Sequence, residues 1–270
     1  MNFRPGRFPA QLPPDRSVPG LESKMKNKIS YLLTLVLIVP IIGFKSPMHF
    51  EPVAVIELFT SQGCSSCPAA DKLLSQTIND SKKDGRKIIA LSFHVDYWNH
   101  LGWSDPFSDK IYSQRQRAYA STLNLRSVYT PQMIVNGMYE FVGSSAGDLG
   151  SSLDKALRTE PTTSFKMISA TTEGNLLRVK YELEGNYSGC NINLALVSKK
   201  EITSVRHGEN DGRKLTNENV VRSFMTREAQ SSGELMLENS TSSTNEKLAV
   251  IAYIQQSDLK IVGAAMAELR

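Results

Sequence analysis

Cysteine is scarce in this chain of 270 residues: Cys64 and Cys67 form one spaced pair and Cys190 stands alone. No second spaced pair exists, and His49, His94, His100 and His207 supply none. A structural zinc site, which usually takes four ligands, therefore lacks its second half. An excess of one charge is also missing. Residues 1–49 carry seven Lys or Arg against Asp15 and Glu22, a net of +5, while the remainder holds 24 basic and 25 acidic residues. The formal +4 thus belongs to the leader, and charge gives a nucleic-acid-binding reading no support. Internal repeats are absent, and only Ser240–Thr244 approaches low complexity.

Nor is there an apolar run of spanning length. The uncharged run Ile29–Phe44 has 16 residues and is interrupted by Pro40 and Gly43, whereas a spanning helix needs about 20. Lys26 and Lys28 precede it, so residues 25–46 read as the basic and apolar segments of an export signal, with Met25 as the start. No Ala-x-Ala site precedes Lys45, and an uncleaved membrane tether through residues 29–44 stays open beside a cleaved signal. No cysteine ends the run, which speaks against a lipoprotein. Residues 1–24, with Pro5, Pro9, Pro13, Pro14 and Pro19, can bury no core and read as a disordered or non-native extension. The product is expected to be exported, periplasmic or secreted.

What is present centres on Val53–Cys67. An apolar run rich in Val and Ile ends in Ser61-Gln62-Gly63, and the two cysteines follow at the start of a helical pattern with Pro68 in its first turn. Ala69, Ala70, Leu73, Leu74 and Ile78 mark the inner face of that helix, and Asp84-Gly85 ends it. Lys87–Phe93 reads as a buried strand, followed by the aromatic insert His94–Trp103 and a helix within Ser108–Leu123. Asn136-Gly137 between two apolar runs predicts a hairpin. Ser144 or Ser145 can cap a last helix with Leu149, Leu153 and Leu157 facing inward, and Pro161 closes it.

Composition shifts at Glu160-Pro161, which divides the body into residues 50–160 and 161–270. After the shift come seven short alternating runs, at 163–171, 176–183, 192–198, 220–225, 233–237, 248–255 and 261–267, a pattern that suggests an antiparallel sandwich. Arg206–Lys214 is a long charged loop between two of them. It reads either as a solvated turn or as a loop that reaches over the dithiol. Cys190 precedes the apolar Ile192, Leu194 and Leu196, and reads as a buried small residue or as a partner for another chain.

The order of elements in residues 50–160, with Cys-x-x-Cys at a helix start and Thr130-Pro131 before the hairpin, resembles the thioredoxin fold. That resemblance implies a cis bond at Pro131 and a substrate groove formed by Thr130 and Pro131 opposite the dithiol. The phrases Glu57–Cys67, His94–Trp98, Leu101–Phe107, Tyr129–Gln132 and Arg206–Thr216 resemble those of a family of secreted thioredoxin-like proteins catalogued as domain of unknown function 1223. The fold class expected is therefore α/β, a thioredoxin-like domain followed by a C-terminal antiparallel β-sandwich-like domain.

The chemistry follows from the helix start. Amides converging there stabilise a thiolate by roughly 0.3 to 1 kcal/mol, so Cys64 is the attacking thiolate and Cys67, one turn deeper and less exposed, the resolving cysteine. This predicts a thiol–disulfide oxidoreductase that needs no cofactor and acts on a protein or small-thiol partner. The alternatives are a soft-metal site, copper for instance, made by Cys64, Cys67 and His94, and a binding module whose disulfide is structural. Glu57 either lies beneath the dithiol as a proton acceptor or points to the other face of its strand. Trp98 and Trp103 either wall the groove or pack in the core. His94 and Asp96 either tune the thiolate or order the loop.

Overall fold

A computed structural model describes residues 49–239, 241 and 247–269. The expected extension and leader, residues 1–46, lie outside them. Among the described residues no helix is long and apolar enough to cross a membrane.

The apolar run becomes strand β1 (Ala54–Thr60), with all seven residues buried. A strand covered on both faces needs partners on both edges. β1 pairs in parallel with β2 (Ile88–His94) and antiparallel with β3 (Gln132–Val135). Helix α1 (Cys67–Asp84) joins β1 to β2 and ends at Gly85 in the left-handed conformation. A short 3-10 turn (Asp96–Leu101) carries the aromatic insert. Helix α2 (Lys110–Thr122) is capped by Asp109, and α3 (Ala146–Leu157) by Ser145. Alternation along β1 divides the layers. Ala54, Ile56 and Leu58 meet Ala70, Leu74 and Ile78 of α1 and Leu149 and Leu153 of α3. Val55 and Phe59 share the opposite core with Tyr112 and Tyr119 of α2.

The hairpin turns where Asn-Gly stands, between β3 and β4 (Tyr139–Val142). Asn136 Oδ1 accepts from Val55 N at 2.6 Å while its Nδ2 donates to Val53 O at 3.1 Å, which fastens the turn to β1. Gly137 has φ +71°, and a Cβ there would overlap the Leu259 carbonyl oxygen. Gly137→Ala is expected to lose at least about 1 to 2 kcal/mol of stability from the left-handed backbone, with further loss from the overlap, measurable by thermal denaturation.

All seven late runs are strands: β5 (Thr163–Glu173), β6 (Leu176–Gly185), β7 (Asn191–Ser204), β8 (Lys214–Glu228), β9 (Ser232–Glu238), β10 (Leu248–Gln255) and β11 (Ile261–Glu268). They do not stand apart as a sandwich of their own. Four of them extend the first sheet, whose order is β11-β10-β7-β8-β2-β1-β3-β4, and β5, β6 and β9 form a separate three-stranded sheet. The fold is mixed α/β, a large mixed sheet plus a small antiparallel one. The reason lies in β7 and β10, whose central residues are buried on both faces. Ala195, Val197, Ile251 and Tyr253 enter the core beside α2, while Ile192, Leu194, Val250 and Ala252 meet the small sheet. The composition change at Glu160-Pro161 marks the end of α3, not the end of the sheet. The seam between β2 and β8 is short, one parallel pair at Ser92 and Val220, supplemented by Ser92 Oγ donating to Glu218 O at 2.9 Å.

Candidate functional site

The turn from β1 into α1 is held by its own backbone and by its neighbours. Cys64 N donates to Ser61 O and Cys67 N to Cys64 O, both at 3.2 Å. Cys64 and Cys67 are joined as a disulfide. Both are fully buried, so the expected contrast between an exposed Cys64 and a deeper Cys67 is absent. The cause is the 205–213 loop between β7 and β8. Asn210, itself fully buried, donates from Nδ2 to Gln62 O at 2.9 Å and to Cys64 O at 2.8 Å. Arg213 holds the Asn210 amide oxygen at 2.6 Å. Glu209 Oε2 accepts from Ser65 N at 2.9 Å, and the Ser65 hydroxyl together with that amide holds its carboxyl below the usual range. A carboxylate therefore occupies a helix-start amide that a thiolate would otherwise draw on.

The aromatic insert closes another side. Trp98 Nε1 donates to Thr130 Oγ1 at 2.7 Å, and Trp103 Nε1 to Gln62 Oε1 at 3.1 Å. Both rings are half-buried, and Trp98 also packs against the core beside α2. The Thr130–Pro131 peptide is cis. Pro131 is buried on the α1 side, where its Cβ and that of Ala70 crowd Gly143.

Beneath the turn lies a polar cluster drawn from three segments. His94 ends β2, opposite Thr60 of β1. Its Nδ1 lies 2.7 Å from Asp105 Oδ2, and that same oxygen accepts from Gln62 N at 2.8 Å. Burial alone would push the His94 imidazole down, but the Asp105 charge and hydrogen bond, with Asp71, carry it above its ordinary value. Burial opposes the Asp105 charge, and His94 with the Gln62 and Phe107 amides brings its carboxyl below the ordinary value. Asp71 of α1 is the third member. Burial lifts it to about 7, against the pull of His94, Thr60 and Asn217.

Two expected partners are elsewhere. Glu57 sits on the odd-numbered face of β1, away from α1, where it accepts from Arg115 Nη2 at 2.7 Å and Tyr253 Oη at 2.6 Å. Of the two faces open to it in the sequence, the structure takes the one that removes it from the dithiol. Asp96 turns to α2 and accepts from Ser113 Oγ, so the partner of His94 is Asp105 and not Asp96. Among the described residues no three His, Cys, Asp or Glu side chains converge as a metal site, and Cys64, Cys67 and His94 are not brought together as ligands. Cys190 is free and buried in the core under the small sheet, and burial raises its thiol.

Sequence reasoning passed over Asp71. The signal was present: Cys67, Ala70, Asp71, Leu74 and Ile78 form the buried stripe of α1, and a carboxylate at an apolar register is a position to examine. Asp105, Glu209 and Asn210 stood inside phrases singled out without individual roles.

A model of the family described as protein of unknown function (DUF1223) matches residues 55–255. The chain belongs to the DUF1223 family. No curated protein matches this DUF1223 chain. It is similar to a crystallised protein from Agrobacterium tumefaciens at 29% identity and a TM-score of 0.61, over 80% of this chain and 95% of that one. β-Glucuronidase from Ruminococcus gnavus is similar over 40% of this chain and 15% of its own, at 14% identity and a TM-score of 0.24, too little to carry an argument.

Proposed function

We propose that this DUF1223 protein is an exported thiol–disulfide exchange protein, with residues 50–160 as a thioredoxin-like unit and the later strands supplying its cover. The observation that carries the reading is the disulfide between Cys64 and Cys67 at the turn into α1, and the bond from Trp98 to Thr130 supports it. A client thiolate attacks Cys64, the Cys64–Cys67 bond breaks, and Cys67 leaves as a thiolate. A second client thiol then displaces Cys64, so the client is oxidised by two electrons and the cysteine pair reduced by two. The reverse sequence reduces a client disulfide. Residues 25–46 would export the protein to a compartment where such chemistry persists.

Equilibration in glutathione buffers of graded ratio tests the reading. We expect reversible conversion of the pair. Cys67→Ser should retain a client on Cys64 as a mixed disulfide, and Cys64→Ser should not. A pair that stays oxidised across the series, with no adduct on Cys67→Ser, would leave the disulfide structural. Stoichiometric copper on the reduced protein would move the reading to metal delivery.

A further inference from the structure

We infer that Asp71, backed by His94 and Asp105, is the proton partner of the Cys67 sulfur and exchanges that proton with solvent through a pocket beside α1. The inference rests on exchange at the disulfide as proposed above. Its geometry is independent of that proposal.

Cys67 and Asp71 are four residues apart on the buried stripe of α1, a spacing that stacks side chains on adjacent turns. Asp71 is 6% exposed, and its Oδ1 has no hydrogen-bond partner in the protein. His94 Nε2 is likewise buried and unbonded. Asp71 Oδ1 and His94 Nε2, from α1 and β2 of one polar cluster, are thus buried without a partner, and each unsatisfied group carries a penalty of about 1 to 3 kcal/mol. His94 is fixed from behind by Asp105, which leaves Nε2 as its free edge.

A pocket of about 310 Å³ opens between α1 and the start of β8, and Asp71 lines it with Pro68, Lys72, Arg213 and Lys214. The carboxyl is thus shielded from bulk water yet reachable from it. The groups that face it are Thr60 from β1, His94 from β2, Asp105 from the segment before α2, and Asn217 from β8. Arg222 of β8 bears on His94. Lys72, Arg213 and Lys214 are exposed at the mouth.

When a client thiolate bonds to Cys64 Sγ, the electron pair of the broken disulfide leaves on Cys67 Sγ, which takes the Asp71 proton. In reverse, the Asp71 carboxylate takes the Cys67 proton as that sulfur attacks Cys64 of the mixed disulfide, and a client thiolate departs. Below about pH 7 Asp71 is the acid that serves the first direction; above it, the base that serves the second.

The test measures disulfide reduction by dithiothreitol, expressed per dithiothreitol thiolate, on either side of pH 7. In the wild type this rate should fall as pH rises through about 7. Asp71→Asn should be flat with pH and, at the acid end, roughly 100-fold slower. An inflection unchanged in Asp71→Asn would overturn the inference. A second measurement needs only the wild type: the infrared difference between the disulfide and phosphine-reduced forms should contain a protonated-carboxyl band, and its absence would overturn the inference equally. Failure of exchange with glutathione, with the infrared band present, would sink the functional reading and leave the proton partnership standing.

Discussion

Arg115→Met is expected to lose about 3 to 5 kcal/mol of folding free energy, because it strands the Glu57 carboxylate in the core. Glu57 is 1% exposed. Arg115 donates to it from both Nε and Nη2, and also to Tyr119 Oη and Gln255 Oε1. The guanidinium lies 5.0 Å from the Phe224 ring centroid and 5.1 Å from that of Tyr119. These contacts tie α2 and β1 to β8 and β10, so the pair holds the two halves of the large sheet to one core. Thermal or urea unfolding reads the loss, and at about 2 to 4 °C per kcal/mol for a body of this size the midpoint should drop by roughly 10 °C. Replacing both Glu57 and Arg115 with Met should recover part of it, since a buried pair exchanged for apolar side chains is often near neutral. Glu57→Gln should weaken the fold while leaving the pH dependence of disulfide reduction unchanged. A shifted pH profile in Glu57→Gln would return Glu57 to the chemistry.

That contrast also shows what the residues disclose before folding is known. Val53–Cys67 is legible because one element's rules suffice: an apolar run makes a buried strand, a Gly turn ends it, and Pro68 opens a helix. The late strands are legible for the same reason, since alternation and turn residues are local. Which sheet they join is not local. Ile192–Ser198 reads equally as one layer of a separate sandwich or as an interior strand of a larger sheet, and only the partners on both faces decide it. Register is the second limit. Glu57 lies an odd number of positions from Ile56 and Leu58, and the period of two sends it to the opposite face. In α1 the expected Ala70, Leu74 and Ile78 are buried, but Ala69 is exposed and Leu73 half-buried, and Cys67, Asp71 and Ser81 complete the buried stripe. Apolar spacing alone does not mark a carboxylate that shares the buried stripe.

Asn210→Ala should speed reduction of the Cys64–Cys67 disulfide by a small thiol roughly 10- to 100-fold. Both sulfurs are fully buried, so a reductant reaches Cys64 only when the cover opens, and the rate then follows the population of open loop. Asn210 contributes two hydrogen bonds to backbone oxygens of the turn, each worth about 0.5 to 1.5 kcal/mol net, and a tenfold change in an equilibrium corresponds to about 1.4 kcal/mol. Glu209→Gln removes the carboxylate from Ser65 N and should act in the same direction by a smaller factor, because that contact is exposed. Asp211→Ala, exposed on the same loop, is the control and should leave the rate unchanged. The sign of the Asn210 effect separates two accounts of the cover. If the loop restricts access, loosening it speeds the reaction; if it instead supplies groups the reaction needs, the same substitution slows it. A rate for Asn210→Ala equal to that of the wild type, in protein shown to be folded, would mean that reductants enter by another side, and the wall made by Trp98 and Trp103 would be the next to open.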